Sequence, residues 1–364
     1  MHEIFRPFAS GLFDYAGLYP PAALDMNAAV DEFIRVRRLP TGYLVACFVV
    51  DAPRFGDFLA TFGSRNPSPH PGSRTVRVSL LAGTRRDLES DLDLAATALS
   101  ERTSGSDAEP TGRIEQHVQI EQHVQIEQIE SIVPSDFGGD AGLAHARRIR
   151  GWCSMFSPRR IFLEIRSEEP SLTVAAQVVA ASNAEHGDRM LALKIRCGGD
   201  KPSDTPSTDA VADFLSACAR ADIPFKATAG LHHPIRFFHP GVGDKPSHCQ
   251  RSEAISLDSA GFMHGFLNVF LAAFLIRRAY GVATQRQHED GRVSAPEIAL
   301  ELLSDTEASN FQIAESAIMW RNLRFGIDEV AAARAEFALS IGSCSIAEPV
   351  ADLQSLGWLS PNQH

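Results

Sequence analysis

Short runs of β-branched and aromatic residues alternate along this chain with stretches whose apolar positions recur every three to four residues. The pattern predicts strands at Tyr43–Val50, Thr75–Leu81, Gln125–Val133, Arg160–Arg166, Met190–Cys197, Pro224–Ala229, Phe266–Phe270 and Phe337–Cys344. Amphipathic helices are expected between them, among others at Arg86–Ser100, Ala141–Phe156, Leu172–Ala184 and Thr208–Ala221. The segments ACFVV, IFLEI and LALKI are almost continuously apolar, as parallel strands covered by helices on their outer face require. Eight strands alternating with helices predict an α/β fold, a (β/α)8 TIM-like barrel.

Pro-, Gly- and Ser-rich stretches fall between these elements and do not split the chain in two, so one domain with loop insertions is expected over residues 1–364. Its barrel is placed at 41–357 and an N-terminal extension at 1–40. The hexapeptide IEQHVQ occurs at Ile114–Gln119 and again at Ile120–Gln125, a local duplication too short for a repeat architecture. Length alone, 364 residues, fits one such barrel.

A net charge of -11 argues against nucleic acid or an anionic membrane as partner. No apolar run reaches bilayer length, and the first residues lack a basic-then-apolar leader pattern, which sets a cytoplasmic protein as the expectation. A homo-oligomer is left open. The 6 cysteines form no CxxC pair and read as small buried hydrophobes.

The chemistry concentrates in LALKIRCGG (Leu191–Gly199) and PFKATAGLHHP (Pro224–Pro234), each with one lysine inside an apolar strand and glycine at its end. Alternate strand residues share a face, which groups Phe162 with Glu164 and Arg166, Ala192 with Lys194 and Arg196, and Lys226 with Thr228 and Gly230. Charges pointing outward would lie under helices, so the inward reading is preferred and sets Glu164, Lys194 and Lys226 at the C-terminal mouth. Two neighbouring lysines lower each other's pKa, and a lysine so tuned forms imines with carbonyl substrates. Lys194 and Lys226 are thus expected as imine or acid/base residues with Glu164 relaying protons; a self-satisfied ion network is the rival reading. Arg196, Gly198, Gly199, Thr228 and Gly230 are candidate contacts to a small anionic substrate.

KIRCGG followed by FKATAG resembles the paired strand-end lysines of Schiff-base barrel aldolases of the deoxyribose-phosphate aldolase type. The resemblance implies Lys194 as the imine-forming residue, Lys226 as the partner that tunes it, and Gly198, Gly199 or Gly230 for phosphate. Counted from Tyr43, the lysines fall on the fifth and sixth strands instead of that family's sixth and seventh. A second resemblance spans the C-terminal half. FKATAGLHHP, HGFLNVF and SIGSCS with the downstream EP, DL and LG pairs are similar to an uncharacterised bacterial and plant family, which brings no function with it.

His232 and His233, with His239, His248 and His264, form a second constellation. Imidazoles at strand ends suit acid/base work or a divalent metal, and a metal-dependent hydrolase or lyase using His232 or His233 with His264 is the alternative. No HxH or HExxH pattern is present, so no metal ligand is assigned and no cofactor is called for, a divalent metal entering only with that alternative. Asn268 could orient a substrate oxygen, and Ser343 in SIGSCS sits where backbone N–H groups cradle an anion. Cys344 has no base named by the sequence and reads as packing. A non-catalytic small-molecule binding barrel would want the same pocket residues.

Overall fold

The computed structural model describes residues 5–65, 75–104, 124–165, 171–199, 204–239, 261–283, 295–314 and 316–360. Seven strands in chain order, β1 (Phe13–Tyr15), β2 (Val45–Asp51), β3 (Val76–Leu81), β4 (Val124–Ile132), β5 (Arg160–Glu164), β6 (Leu191–Arg196) and β7 (Phe225–Thr228), run parallel round a cylinder. An eighth, β13 (Ala338–Ser343), closes it by pairing with both β7 and β1. The fold is therefore an α/β barrel with helices between its strands, as the alternation of patterns predicts. A hairpin of β8 (Phe237–His239) and β9 (Gly261–Met263) and an antiparallel sheet of β10 (Phe311–Ala314), β11 (Ala317–Trp320) and β12 (Leu323–Gly326) decorate the segment between β7 and β13.

Two expectations fail together. Phe13–Tyr15, expected in the N-terminal extension, is the first barrel strand, so the barrel does not begin at residue 41. At three residues, FDY is too short to show a period, yet it pairs with β13 on one side and β2 on the other. Conversely Phe266–Phe270 is no strand but the first turns of a helix, Phe266–Ala283, buried on every side through Ile276. An all-apolar run carries no period to separate buried helix from buried strand. The two errors cancel in the strand count but shift its numbering. Lys194 and Lys226 consequently lie on the sixth and seventh strands.

The helices start where their caps dictate. Asp25 accepts from the Ala28 N–H at the head of helix Met26–Arg38, and Ser207 accepts from the Ala210 N–H at the head of helix Thr208–Arg220. Between helices and barrel the core includes an aromatic cluster: Phe48 on β2 stacks on Phe58 at 4.6 Å and meets Phe33 edge-on at 5.2 Å. At the N-terminal end of the cylinder a short helix, Phe5–Ala9, is pinned by Arg334, which donates to the Phe8 carbonyl and to the carbonyls of Ala338 and Leu339 at the start of β13. No helix among the described residues is long and apolar enough to cross a membrane.

Candidate active site

The barrel interior carries a chain of alternating charges. Lys226 Nζ lies 2.5 Å from Asp14 Oδ2 and 2.5 Å from Glu130 Oε1. The other oxygen of Glu130 lies 2.7 Å from Lys194 Nζ, which is 2.8 Å from Glu164 Oε2. Arg196 ends the chain, 4.0 Å from Glu164 Oε1. Strand register explains why these groups meet. Glu164 pairs with Lys194 and Lys194 with Lys226 across β5, β6 and β7, so three charged side chains stand side by side on one inner face. Glu130 comes from β4, the strand beside β5, and Asp14 from β1, which β13 separates from β7, so the two carboxylates flank the lysines from either side.

Hydroxyl and amide groups complete the shell. Ser340 donates to Asp14 Oδ2 at 2.7 Å and the Cys47 N–H to Asp14 Oδ1 at 3.1 Å. Ser79 donates to Glu130 at 2.6 Å, and Lys226 donates also to Gln128 at 3.1 Å while resting over the Phe162 ring. Burial deepens along the chain of charges. The Arg196 side chain is 44% exposed, Lys194 7% and Lys226 0%.

Burial, the largest single influence on Lys226, opposes its charge, yet the carboxylates of Asp14 and Glu130 with their hydrogen bonds outweigh it and raise its pKa above the ordinary lysine value. The expectation of a lysine lowered by its lysine neighbour is corrected for Lys226, because each Nζ faces carboxylates instead of the other ammonium. Glu130 shows the converse. Burial pushes its pKa up, but Lys194 and Lys226 hold it well below the usual carboxylate range.

The glycines at the strand ends have a packing reason. A Cβ on Gly198 would sit 2.8 Å from the Gly230 Cα, and one on Gly230, at φ +69°, would sit 2.7 Å from the Cys197 carbonyl oxygen. The backbones after β6 and β7 thus touch, and a side chain at either position would part them. Gly199 is pressed against Asp204, and Thr228 fills the space that Gly342 leaves open across the β7–β13 pair.

The histidines do not converge. His232 Nε2 lies 3.9 Å from Cys344 Sγ, and its Nδ1 lies 3.3 Å from Glu348 Oε2, in ion-pair range but off the line of a hydrogen bond. His233 Nδ1 lies 2.5 Å from Asp352. His264, fully buried, donates from Nε2 to the Pro206 carbonyl and accepts from Arg236 at Nδ1. His239 stacks edge-on to Phe237, and His248 and Arg166 lie outside the described residues. Among the described residues no group of three or more His, Cys, Asp or Glu side chains is placed to hold a metal ion. Asn268 is a joint in the scaffold: it accepts from the Arg236 N–H and donates to the carbonyls of Leu302 and Asp305. Ser343 donates to the Ser345 carbonyl, tightening the turn after β13.

Of the expected residues the fold therefore brings Glu164, Lys194, Arg196 and Lys226 together and sets the histidines, Asn268 and Ser343 apart from them. Asp14, Ser79, Gln128, Glu130 and Ser340 complete the cluster without having been expected there. Glu130 carried a readable signal: β4 reads QIEQIE, with polar groups recurring in a strand otherwise apolar at Ile126, Ile129 and Ile132. A second signal lies in usage, since only four of the 34 Lys and Arg residues are lysine and two of those four are the buried pair. No protein-family model and no curated protein matches the chain.

Proposed function

We propose that the barrel is a lyase or isomerase acting on a small anionic carbonyl compound, with Lys194 forming an imine. The observation that carries this reading is the amine usage just described. A chain that otherwise relies on arginine keeps lysine at two adjacent register positions inside its barrel, and lysine, unlike arginine, can give up a proton and attack a carbonyl carbon. The sixth-and-seventh-strand placement removes the mismatch with the aldolase pattern and adds support.

The roles divide by depth. Lys194, nearest the mouth, passes a proton to Glu164 and attacks the carbonyl; the carboxyl returns that proton to the carbinolamine hydroxyl, which leaves as water. Lys226 is a positioning residue. Its retained charge keeps Glu130 ionised, and that fixed carboxylate holds Lys194 Nζ beside Glu164. Arg196 at the open end offers a guanidinium to the substrate's anionic group. Treatment with borohydride in the presence of a panel of keto acids and sugar phosphates, followed by intact mass and peptide mapping, tests the reading. The expected result is one reduced adduct on Lys194, absent in Lys194→Met. No adduct across the panel, or an adduct mapped to another lysine, overturns it.

A further inference from the structure

Beside the barrel mouth, and separate from the lysine chain, lies a cavity of about 320 Å³ walled by the turn after β1, the helix Met26–Arg38 and the turn after β13. Cys344 and Glu348 open onto it, as does Tyr15. Cys344 is the thiol within reach of His232 Nε2, and Glu348 stands against the other nitrogen of the same ring. Sulfur, imidazole and carboxylate are therefore in the order a cysteine nucleophile needs, with Nε2 facing the sulfur and Nδ1 in ion-pair range of the carboxylate.

Tyr15 supplies an independent pointer to a ligand. Its side chain is 1% exposed, lines the cavity, and its hydroxyl finds no hydrogen-bond partner. A buried unpaired hydroxyl costs stability unless something in the cavity accepts from it. Burial, then the charge of Glu32, holds this phenol protonated far above the usual tyrosine range, so it acts as a donor. Gly17 passes so close that a Cβ there would lie 2.3 Å from the hydroxyl, which leaves it little freedom to turn away.

We propose that Cys344, His232 and Glu348 form a thiol acyl-transfer site for small uncharged esters or thioesters, with the Tyr15 hydroxyl as donor to the carbonyl oxygen. Pro21, Leu24, Ala28 and Ile346 give the cavity an apolar wall, while Glu32 and Glu348 repel an anionic acyl group. In the reaction the Cys344 Sγ–H proton passes to His232 Nε2 as sulfur bonds to the carbonyl carbon. The alkoxide or thiolate leaving group then departs with that proton. Water attacks the resulting thioester, its proton going to His232, and sulfur leaves and recovers the proton as the acid is released. Burial works against charge on His232, but its contacts with Cys344 and Glu348 prevail and raise its pKa to about 10, so acylation draws on the neutral fraction of the ring and speeds up as pH rises towards that value. This site does not depend on the imine reading, and the two are read as different adducts on different residues.

The probe is p-nitrophenyl acetate, with nitrophenolate release followed in the first turnover and acid-quenched protein mapped for acetyl groups. Acetylation of Cys344 is expected, lost in Cys344→Ser as a thioester and slowed on the order of a hundredfold in His232→Gln. Tyr15→Phe should slow acetylation roughly a hundredfold while leaving alkylation of Cys344 by iodoacetamide unchanged, because alkylation builds no oxyanion. A merely structural tyrosine would move both rates or neither. Should His232→Gln lose its cooperative melting transition, Glu348→Gln, at a partly exposed position, takes its place with a slower acetylation expected. Acetyl groups found only on other residues, an acetylation rate untouched by the His232 or Glu348 variant, or equal effects of Tyr15→Phe on both reagents overturn the proposal.

Discussion

Replacing Lys226 by methionine removes the hub of the internal charge chain and nearly preserves its length. Asp14 then keeps Ser340 and the Cys47 N–H but no cation, and Glu130 keeps Lys194 and Ser79. Asp14 is fully buried, so its charge is left uncompensated in the interior, and breaking one partner of such a pair costs about 3–5 kcal/mol. The stranded carboxylate has an escape that sets the pH dependence. With the cation gone, burial raises its folded-state pKa above the unfolded value near 4, so the folded variant takes up a proton that the unfolded chain does not. Stability of Lys226→Met therefore rises relative to wild type as pH falls from about 8 to about 5, and the deficit is largest at the alkaline end. Urea unfolding of both proteins at several pH values across that range measures it. A deficit below about 1 kcal/mol at pH 8, or one that does not shrink towards pH 5, refutes the claim that Lys226 is held there by its carboxylates. Asp14→Asn added to Lys226→Met should return a large part of the loss, since it removes the unpaired charge.

Two other substitutions probe the scaffold. Gly230→Ala combines a left-handed backbone with a 2.7 Å approach to the Cys197 carbonyl, so a loss of about 2 kcal/mol or more is expected in denaturant titration; a neutral result would mean that β6 and β7 part freely at their ends. Asn268→Ala strands one N–H and two carbonyls where three segments meet, and about 2–4 kcal/mol of destabilisation should appear by the same measurement; a change under 0.5 kcal/mol, roughly that of an ordinary surface substitution, would show the joint to be dispensable.

The sequence was most informative where one face of an element differs from the other. LALKI and FKAT show a lysine breaking an apolar strand, and that contrast is enough to place both side chains inside and next to each other. It does not say what they meet. Asp14 and Glu130 are distant in the chain from Lys226, and only closure of the cylinder brings them within 2.5 Å of it. The direction of the Lys226 pKa shift differs from the expectation for that reason: the charge that strand register sets beside it is Lys194, whereas the groups nearest Nζ in space are carboxylates. Cys344 illustrates the same limit. Its base is 112 residues upstream, and nothing in SIGSCS or GLHHP joins them until β7 and β13 lie side by side. In the helix Phe266–Ala283 the failure was of another kind, since a run buried on all sides has no periodic contrast to read.

The pairing of β1 with β13 also sets a schedule for assembly. Asp14 finds its hydrogen-bond donor Ser340 326 residues later in the chain, so the ring cannot close until β13 has been synthesised. At about 5–20 residues per second, the first strand waits roughly 15–65 s on the ribosome for its last neighbour. Once β7 has emerged, the edges of β1 and β7 stay open until β13 pairs with both, and Lys226 emerges long before the final wall that encloses it beside Asp14. A nascent chain of this protein is accordingly an open curved sheet with a charged inner face, and the charges that lock the finished cylinder also make its unfinished edge polar inside and less prone to self-association.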